Sequence, residues 1–284
     1  MNNSFISNLR FLITQHKPLS IYIVLNVTIF ITVGVLDVIS FLFKLPFDIK
    51  GLIWEYTAFP ASIQNQVYKI YTLITYQFFH RDLWHLLVNM LTIFWFGRVF
   101  IDFLKPRQFH FVYLFGGFIG ALFYAITFNL FPVFESVATN SLLIGASASV
   151  MAIAAASATY VPNYTFHLLL FGAVRLKYLV LFLLIFDIIL LNDGNAGGNL
   201  AHLGGALAGF IFIKLLQKGK DLSKWTEKKP KLKVVKNSAP KYNSPYNEVS
   251  QEEIDRILEK ISASGYEKLT SEEKQKLFKA SGKK

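Results

Sequence analysis

The sequence predicts an all-α integral membrane protein: six membrane-spanning helices in one bundle, followed by a small cytoplasmic helical hairpin. Three observations carry this. The 284 residues are 53% hydrophobic with a mean hydropathy of +0.41. Only 17% are charged, where soluble domains carry roughly 25%. The net charge of +11 is also uneven. Residues 1–213 hold 11 basic and 8 acidic side chains, whereas residues 214–284 hold 18 and 10. An apolar body thus precedes a basic tail. The chain has no cysteine, which excludes disulfides, thiolate metal sites and a cysteine nucleophile together.

A spanning helix needs about 20 mostly apolar residues. The runs that qualify are Ile21–Phe43, Leu83–Phe100, Phe109–Phe131, Leu142–Tyr160, Tyr178–Leu191 and Asn199–Leu216. Asn2–Ser20 is too mixed in polarity for a signal peptide, so the first span is expected to be retained. The fifth run is short, and the apolar stretch Phe166–Val174 before it reads as an interfacial segment. Basic residues mark one side of the membrane: Arg10 and Lys17, then Arg98, Lys105 and Arg107, then Arg175 and Lys177, then the tail. By the positive-inside rule both termini are cytoplasmic.

The body is expected over residues 1–217, a basic linker over 218–247 and the hairpin over 248–284. Ten lysines between Lys214 and Lys241, with Pro230 and Pro240, read as a solvated juxtamembrane stretch. Each lysine near the surface is drawn to anionic headgroups by about 1 kcal/mol. A solubilising flank explains the same run equally well. Beyond it, Ser250–Glu253 and Thr270–Glu273 have the form of capping boxes. Ile254, Ile257, Leu258 and Ile261 follow helical spacing, and Gly265 suits a C-cap.

Polar groups inside spans are costly and therefore informative. His85 and Asn89 lie in the second span, Ser147 and Ser149 in the fourth and His202 in the sixth. These spans run in the same direction, and each cluster lies near its span's start. The groups therefore fall within about 10 Å of one membrane face, the outer one. Ala148, Ala152 and Ala156 form a small-residue ridge, as do Ala201, Gly205 and Gly209. Such ridges let helices approach closely, which would bring Ser147 toward His202. Either ridge alone reads as packing; a histidine at matching depth opposite the serine makes a site the better reading. His202 suits the role of base to a Ser147 nucleophile. His85 and Asn89, one turn apart, suit an oxyanion. His80 is about 140° round from His85 on a continuous helix, off that face. The intramembrane acids are Asp37 and Asp187. Neither is placed beside His202 by spacing, and Asp187 is expected to face water or cap a loop. The residues therefore describe a Ser–His dyad.

These motifs resemble the rhomboid intramembrane serine proteases. The resemblance rests on Thr75–His80 leading into His85-Leu-Leu-Val-Asn89, then Gly145-Ala-Ser147, then Ala201-His202-Leu-Gly-Gly205. It covers the six-span body, about three-quarters of the chain, and the tail hairpin resembles a module found on some bacterial members. It implies Ser147 as nucleophile and His202 as base and then acid. His85, Asn89 and the Ser147 backbone N–H would hold the oxyanion. Substrates would be transmembrane helices of other proteins, cut near their outer ends through an acyl-enzyme, without cofactor or metal. It further implies a bacterial inner-membrane location, a mobile cap over Asn192–Gly198 and a lateral gate at Phe182 and Phe186. Two positions depart from the family pattern. Ala148 stands where glycine usually follows the nucleophile, and Met151 stands where an aromatic often stacks on the catalytic histidine. Slower or more promiscuous catalysis is the expected consequence.

Other classes fit less well. Haem ligation by His85 and His202 leaves Ser147 and Asn89 idle. A zinc protease lacks its His-Glu-x-x-His. The stronger rival is a rhomboid-like pseudoprotease that binds transmembrane clients without cleavage, yet both dyad members are present. Expected partners are transmembrane substrates and lipids, with anionic headgroups at the linker. Nothing points to nucleic acid, and oligomeric state is not legible.

Overall fold

Hydrocarbon offers no partner to a bare peptide group, so a chain this apolar closes its backbone hydrogen bonds within helices. The structure, a computed structural model, describes residues 17–168, 172–192, 194–226 and 250–281. The helices that build the body are α1 (Lys17–Leu42), α2 (Leu83–Phe103), α3 (Pro106–Leu130), α4 (Ser147–Tyr160), α5 (Leu176–Ile189) and α6 (Ala196–Gln217). Among the described residues, α1, α2, α3 and α6 are long and apolar enough to cross a membrane. Helices α4 and α5 have 14 residues each. At about 1.5 Å per residue they reach about 21 Å, short of a hydrocarbon core of about 30 Å.

The fourth apolar run is not helical from Leu142, as expected. Leu142 and Leu143 pair antiparallel with Pro60 and Phe59 as a two-residue ladder. Gly145 then takes a φ of +130°, which no helix accommodates, so α4 starts at Ser147. Phe166–Val174 lies within a hairpin in which Thr165–Leu168 pairs with Gly172–Arg175; its turn falls outside the described residues.

Helix α4 is the axis of the packing. Every residue from Ala148 to Ala158 is buried, so the helix presents no polar face, as expected of one enclosed on all sides. The two small-residue ridges meet. A Cβ added at Gly205 would strike the Ala148 carbonyl oxygen, and one at Gly209 that of Ala152. From the other side, a Cβ at Gly120 of α3 would lie 2.6 Å from Ala148 Cβ and 2.7 Å from the Ala201 carbonyl oxygen. Backbones this close gain dispersion contacts that side chains would keep apart. Helix α1 is peripheral, with Ile21, Val24, Ile31 and Val38 exposed for lipid. It is anchored by Tyr22, whose ring stacks on Tyr113 at 3.8 Å.

The long connection after α1 enters the bundle. Short helices over Ile49–Thr57, Ile63–Tyr68 and Thr72–Thr75 lead into a buried stretch. There the Tyr76 hydroxyl donates to the Gly117 carbonyl at 2.7 Å, and Ser149 Oγ donates to Gln77 Oε1 at 2.9 Å. At the opposite end of the bundle, Arg107 and Gln108 of α3 hold Asp221 Oδ2 at 2.9 and 3.0 Å. Burial pushes the Asp221 carboxyl up, but hydrogen bonds from Ser223, Arg107 and Gln108 outweigh it and hold it below the ordinary value. These contacts fasten the chain beyond α6 to the body.

The chain divides into two compact units, residues 1–227 and 228–284. In the second, α7 (Gln251–Ser264) and α8 (Ser271–Ser281) pack around Ile257 and Leu269. Thr270 and Glu273 form a reciprocal capping box, and Lys260 Nζ reaches Glu273 at 2.7 Å. The basic stretch over 227–249 lies outside the described residues.

The ridge contact predicts asymmetric responses to one added methyl. Gly209→Ala should lower stability by about 1–3 kcal/mol through overpacking. Gly34→Ala, with nothing within 4 Å of the new Cβ, should leave it unchanged or raise it by up to about 1 kcal/mol. Thermal unfolding of the detergent-solubilised chain compares the two.

Candidate active site

Helices α2, α4 and α6 run the same way, and their N-terminal ends meet at one end of the bundle. Between them lies a cavity of about 620 Å³ lined by His85, Asn89, Ser147 and His202, with Leu142–Ile144 and Gly194–Gly198 around it. The four polar residues singled out from sequence thus share one space. Of the cap segment Asn192–Gly198, the part from Gly194 lines the cavity and Asp193 is outside the described residues.

Local structure explains each placement. Asp82 caps α2 by accepting from the His85 backbone N–H at 2.8 Å, which fixes His85 in the first turn. Asn89 is buried and donates one amide hydrogen to the His85 carbonyl at 2.9 Å, leaving the other for a ligand. Ser147 opens α4, where unpaired backbone N–H groups and the helix dipole favour negative charge. Gly145 makes this geometry possible, because any Cβ there would meet the His85 ring at 2.6 Å. Its N–H donates to the Tyr76 carbonyl at 3.0 Å, tying the serine loop to the inserted connection. Ser147 and His202 make no direct hydrogen bond to each other among those of the described residues. Serine–base contacts are often long before substrate binds.

Two residues lie elsewhere than expected. Asp187 neither faces water nor caps a loop. It is buried, with Oδ1 2.8 Å from His202 Nδ1. His80 precedes the Asp82 cap, so the helical angle between it and His85 never applied. It folds back and sets its ring edge-on to His85 at 5.1 Å. His80 is 4% exposed, and neither ring nitrogen has a partner among the described residues. Burial, reinforced by His85, pushes its imidazole down to about 3. Ser149, the other polar residue of the fourth run, is wholly committed to Gln77. Met151 is buried in α4 and does not line the cavity. Phe182 and Phe186 stack at 5.9 Å on the exposed face of α5.

No group of three or more His, Asp and Glu side chains that could hold a metal ion occurs among the described residues. The arrangement suits nucleophilic chemistry: a hydroxyl at a helix N-terminus, an imidazole across from it, and donors alongside.

A multi-pass membrane protein with a polar recess at one end of an otherwise apolar bundle is the class these features define. A family described as "Rhomboid domain" matches residues 67–219, and the chain belongs to the rhomboid family. A second family, described only as "Family of unknown function (DUF6576)", matches residues 240–283. Among curated proteins, RHOMBOID-like protein 12, mitochondrial, of Arabidopsis thaliana is 29% identical over 161 residues. The match covers 54% of this chain and 48% of that protein, so the chain spans about half the length of this relative.

Two measurements check the site's construction. Gly145→Ala should displace the His85 ring and lower stability by about 1–3 kcal/mol while the helices still form, read by thermal unfolding beside circular dichroism. His80 should stay uncharged: below pH 6.5 the unfolded chain's imidazole takes up a proton, while the folded one resists until about 3. Stability should therefore fall as pH drops through that window and rise as pH returns. A His80→Phe variant, free of this linkage, should show a shallower loss.

Proposed function

We propose that the chain is an intramembrane serine endopeptidase that cuts transmembrane helices of other proteins near one membrane face. The observation that carries this is the convergence of Ser147, His202, His85 and Asn89, from three helices, on a single cavity. In this reading Ser147 Oγ bonds to the scissile carbonyl carbon while its proton passes to His202 Nε2. The oxyanion faces the Ser147 N–H, His85 and Asn89, which donate to it as charge develops. Collapse breaks the C–N bond, and Nε2 returns the proton to the leaving amine. Water then repeats the sequence on the acyl-enzyme.

The short α4 supports the reading. If its Tyr160 end reaches one interface, Ser147 sits about 10 Å inside the other, where water can fill a polar recess. A substrate helix must unwind there to offer its carbonyl, which favours clients with glycine near the cut. In a bacterial inner membrane, the basic loops put both termini in the cytoplasm and the recess on the outer face. The lysine charge of the sequence after α6 suits anionic headgroups on that side, and α7 with α8 would be a cytoplasmic hairpin.

The rival is a rhomboid-like protein that binds helices without cutting. Among the described residues Ser147 and His202 share no hydrogen bond, an arrangement compatible with either reading. Labelling by a fluorophosphonate in native-like membranes separates the two. Wild type should label, while Ser147→Ala and His202→Ala should lose at least about 100-fold in rate. A folded wild type that does not label favours the binder, and labelling that survives Ser147→Ala assigns the wrong nucleophile.

A further inference from the structure

Resting on the serine–histidine reading, we propose that Asp187 is a positioning residue. Its carboxylate holds His202 in the tautomer whose Nε2 accepts the Ser147 proton, making the pair a three-membered array.

The geometry is direct. His202 Nδ1 and Asp187 Oδ1 are 2.8 Å apart, within the range of a charge-assisted hydrogen bond. An ionised carboxylate only accepts, so Nδ1 carries the hydrogen and Nε2 keeps its lone pair. A base in the other tautomer would present N–H to the serine and could take no proton. Among the described residues this is the imidazole's one hydrogen bond, and it fixes the ring's rotation as well as its tautomer.

Position argues the same way. A carboxylate within an apolar helix carries a large cost unless it is paired. The neighbours Phe186 and Ile188 are about half exposed, at 48% and 54%, whereas Asp187 is 9% exposed. Asp187 continues the inward line of Leu176 and Val180 and points at α6. It does not snorkel to the interface, although it lies within a turn of the helix end. Met151, one turn after Ser147 on α4, is buried but does not line the cavity. The hydrogen bond from α5 is what orients the ring.

As proton transfer proceeds, Nε2 gains the serine proton and His202 becomes an imidazolium. The Asp187 charge, fixed beforehand at Nδ1, stabilises that cation without reorganisation. The transferred proton stays on Nε2, and none moves to the carboxylate.

The competing role is mechanical: the same bond would latch α5 against α6, and its loss would loosen the helix. Fluorophosphonate inactivation kinetics of the full chain in lipid nanodiscs separate the roles. For Asp187→Asn, similar in size but wrong for the tautomer, kinact should fall about 10- to 100-fold while KI stays within about threefold. Asp187→Glu should recover part of the rate, and Asp187→Leu should recover none. Thermal unfolding of each variant normalises for folded protein. A downfield Nδ1 proton resonance of His202 should be present in wild type and absent in Asp187→Asn.

An Asp187→Asn rate equal to or above wild type overturns the proposal, as does a loss carried by KI or matched by lost folded protein. If Ser147→Ala and His202→Ala abolish labelling but Asp187→Asn does not slow it, the positioning role alone falls. If wild type itself fails to label, the serine–histidine reading falls and takes the positioning role with it.

Discussion

The contact between the backbones of α4 and α6 sets where the other groups of the site lie. Gly205 and Gly209 bring α6 onto the carbonyls of Ala148 and Ala152, a distance that no larger residue permits. Because Ser147 adjoins Ala148 and His202 lies one turn before Gly205 and Ala206, that contact fixes the two chemical groups relative to each other. Helix α3 closes the other side through Gly116 and Gly120, so α4 is clamped along its length. A membrane offers little hydrophobic force between helices, and close packing of small residues supplies the attraction instead. The Ala148 that departs from the family pattern sits in this contact. Its methyl group faces Gly120, whose missing side chain makes room for it.

A second constraint is the break before α4. Gly145 adopts a conformation that an L side chain rarely accepts, and its bare α-carbon leaves space for the His85 ring. The break delays the start of α4 to Ser147, which lines the cavity. The Leu142–Leu143 ladder with Phe59–Pro60 holds the preceding chain in place. The inserted connection supports it through the Tyr76 carbonyl. Within this buried connection neither His80 ring nitrogen has a hydrogen-bond partner among the described residues, a cost tolerated beside the site. Polar residues of the loop and the spans therefore form one continuous framework behind Ser147.

Much of this was legible in the sequence, for identifiable reasons. Intramembrane polar residues are few enough that Ser147, His202, His85 and Asn89 stood out, and matching depth in parallel spans tied them together. The Ala and Gly ridges announced which backbones would touch. Asp187 was visible as an intramembrane acid, but its partner was not, because spacing gives depth and leaves the rotation of a short helix open. The inward line of Leu176 and Val180, three turns and two turns before it in phase, is the signal that points it toward α6. His80 lies ahead of the Asp82 cap, where the helix has not begun, so helical spacing from His85 does not predict its position. The apolar run from Leu142 concealed a β-ladder and a glycine break, since periodicity cannot separate a short buried strand from a helix start. Phe166–Val174 reads as an apolar interfacial segment, and an apolar run of this length does not reveal the strand pairing that the hairpin shows.

The central claim is that Ser147 attacks while the groups around it receive the charge. The structure of the chain in lipid, inactivated by a phosphonate, tests this at the reacting atoms. Phosphorus should be bonded to Ser147 Oγ. Its oxygen should lie within about 3 Å of the Ser147 N–H nitrogen and of donors on His85 and Asn89. A phosphonate on another residue, or an oxygen turned away from His85 and Asn89, would contradict it.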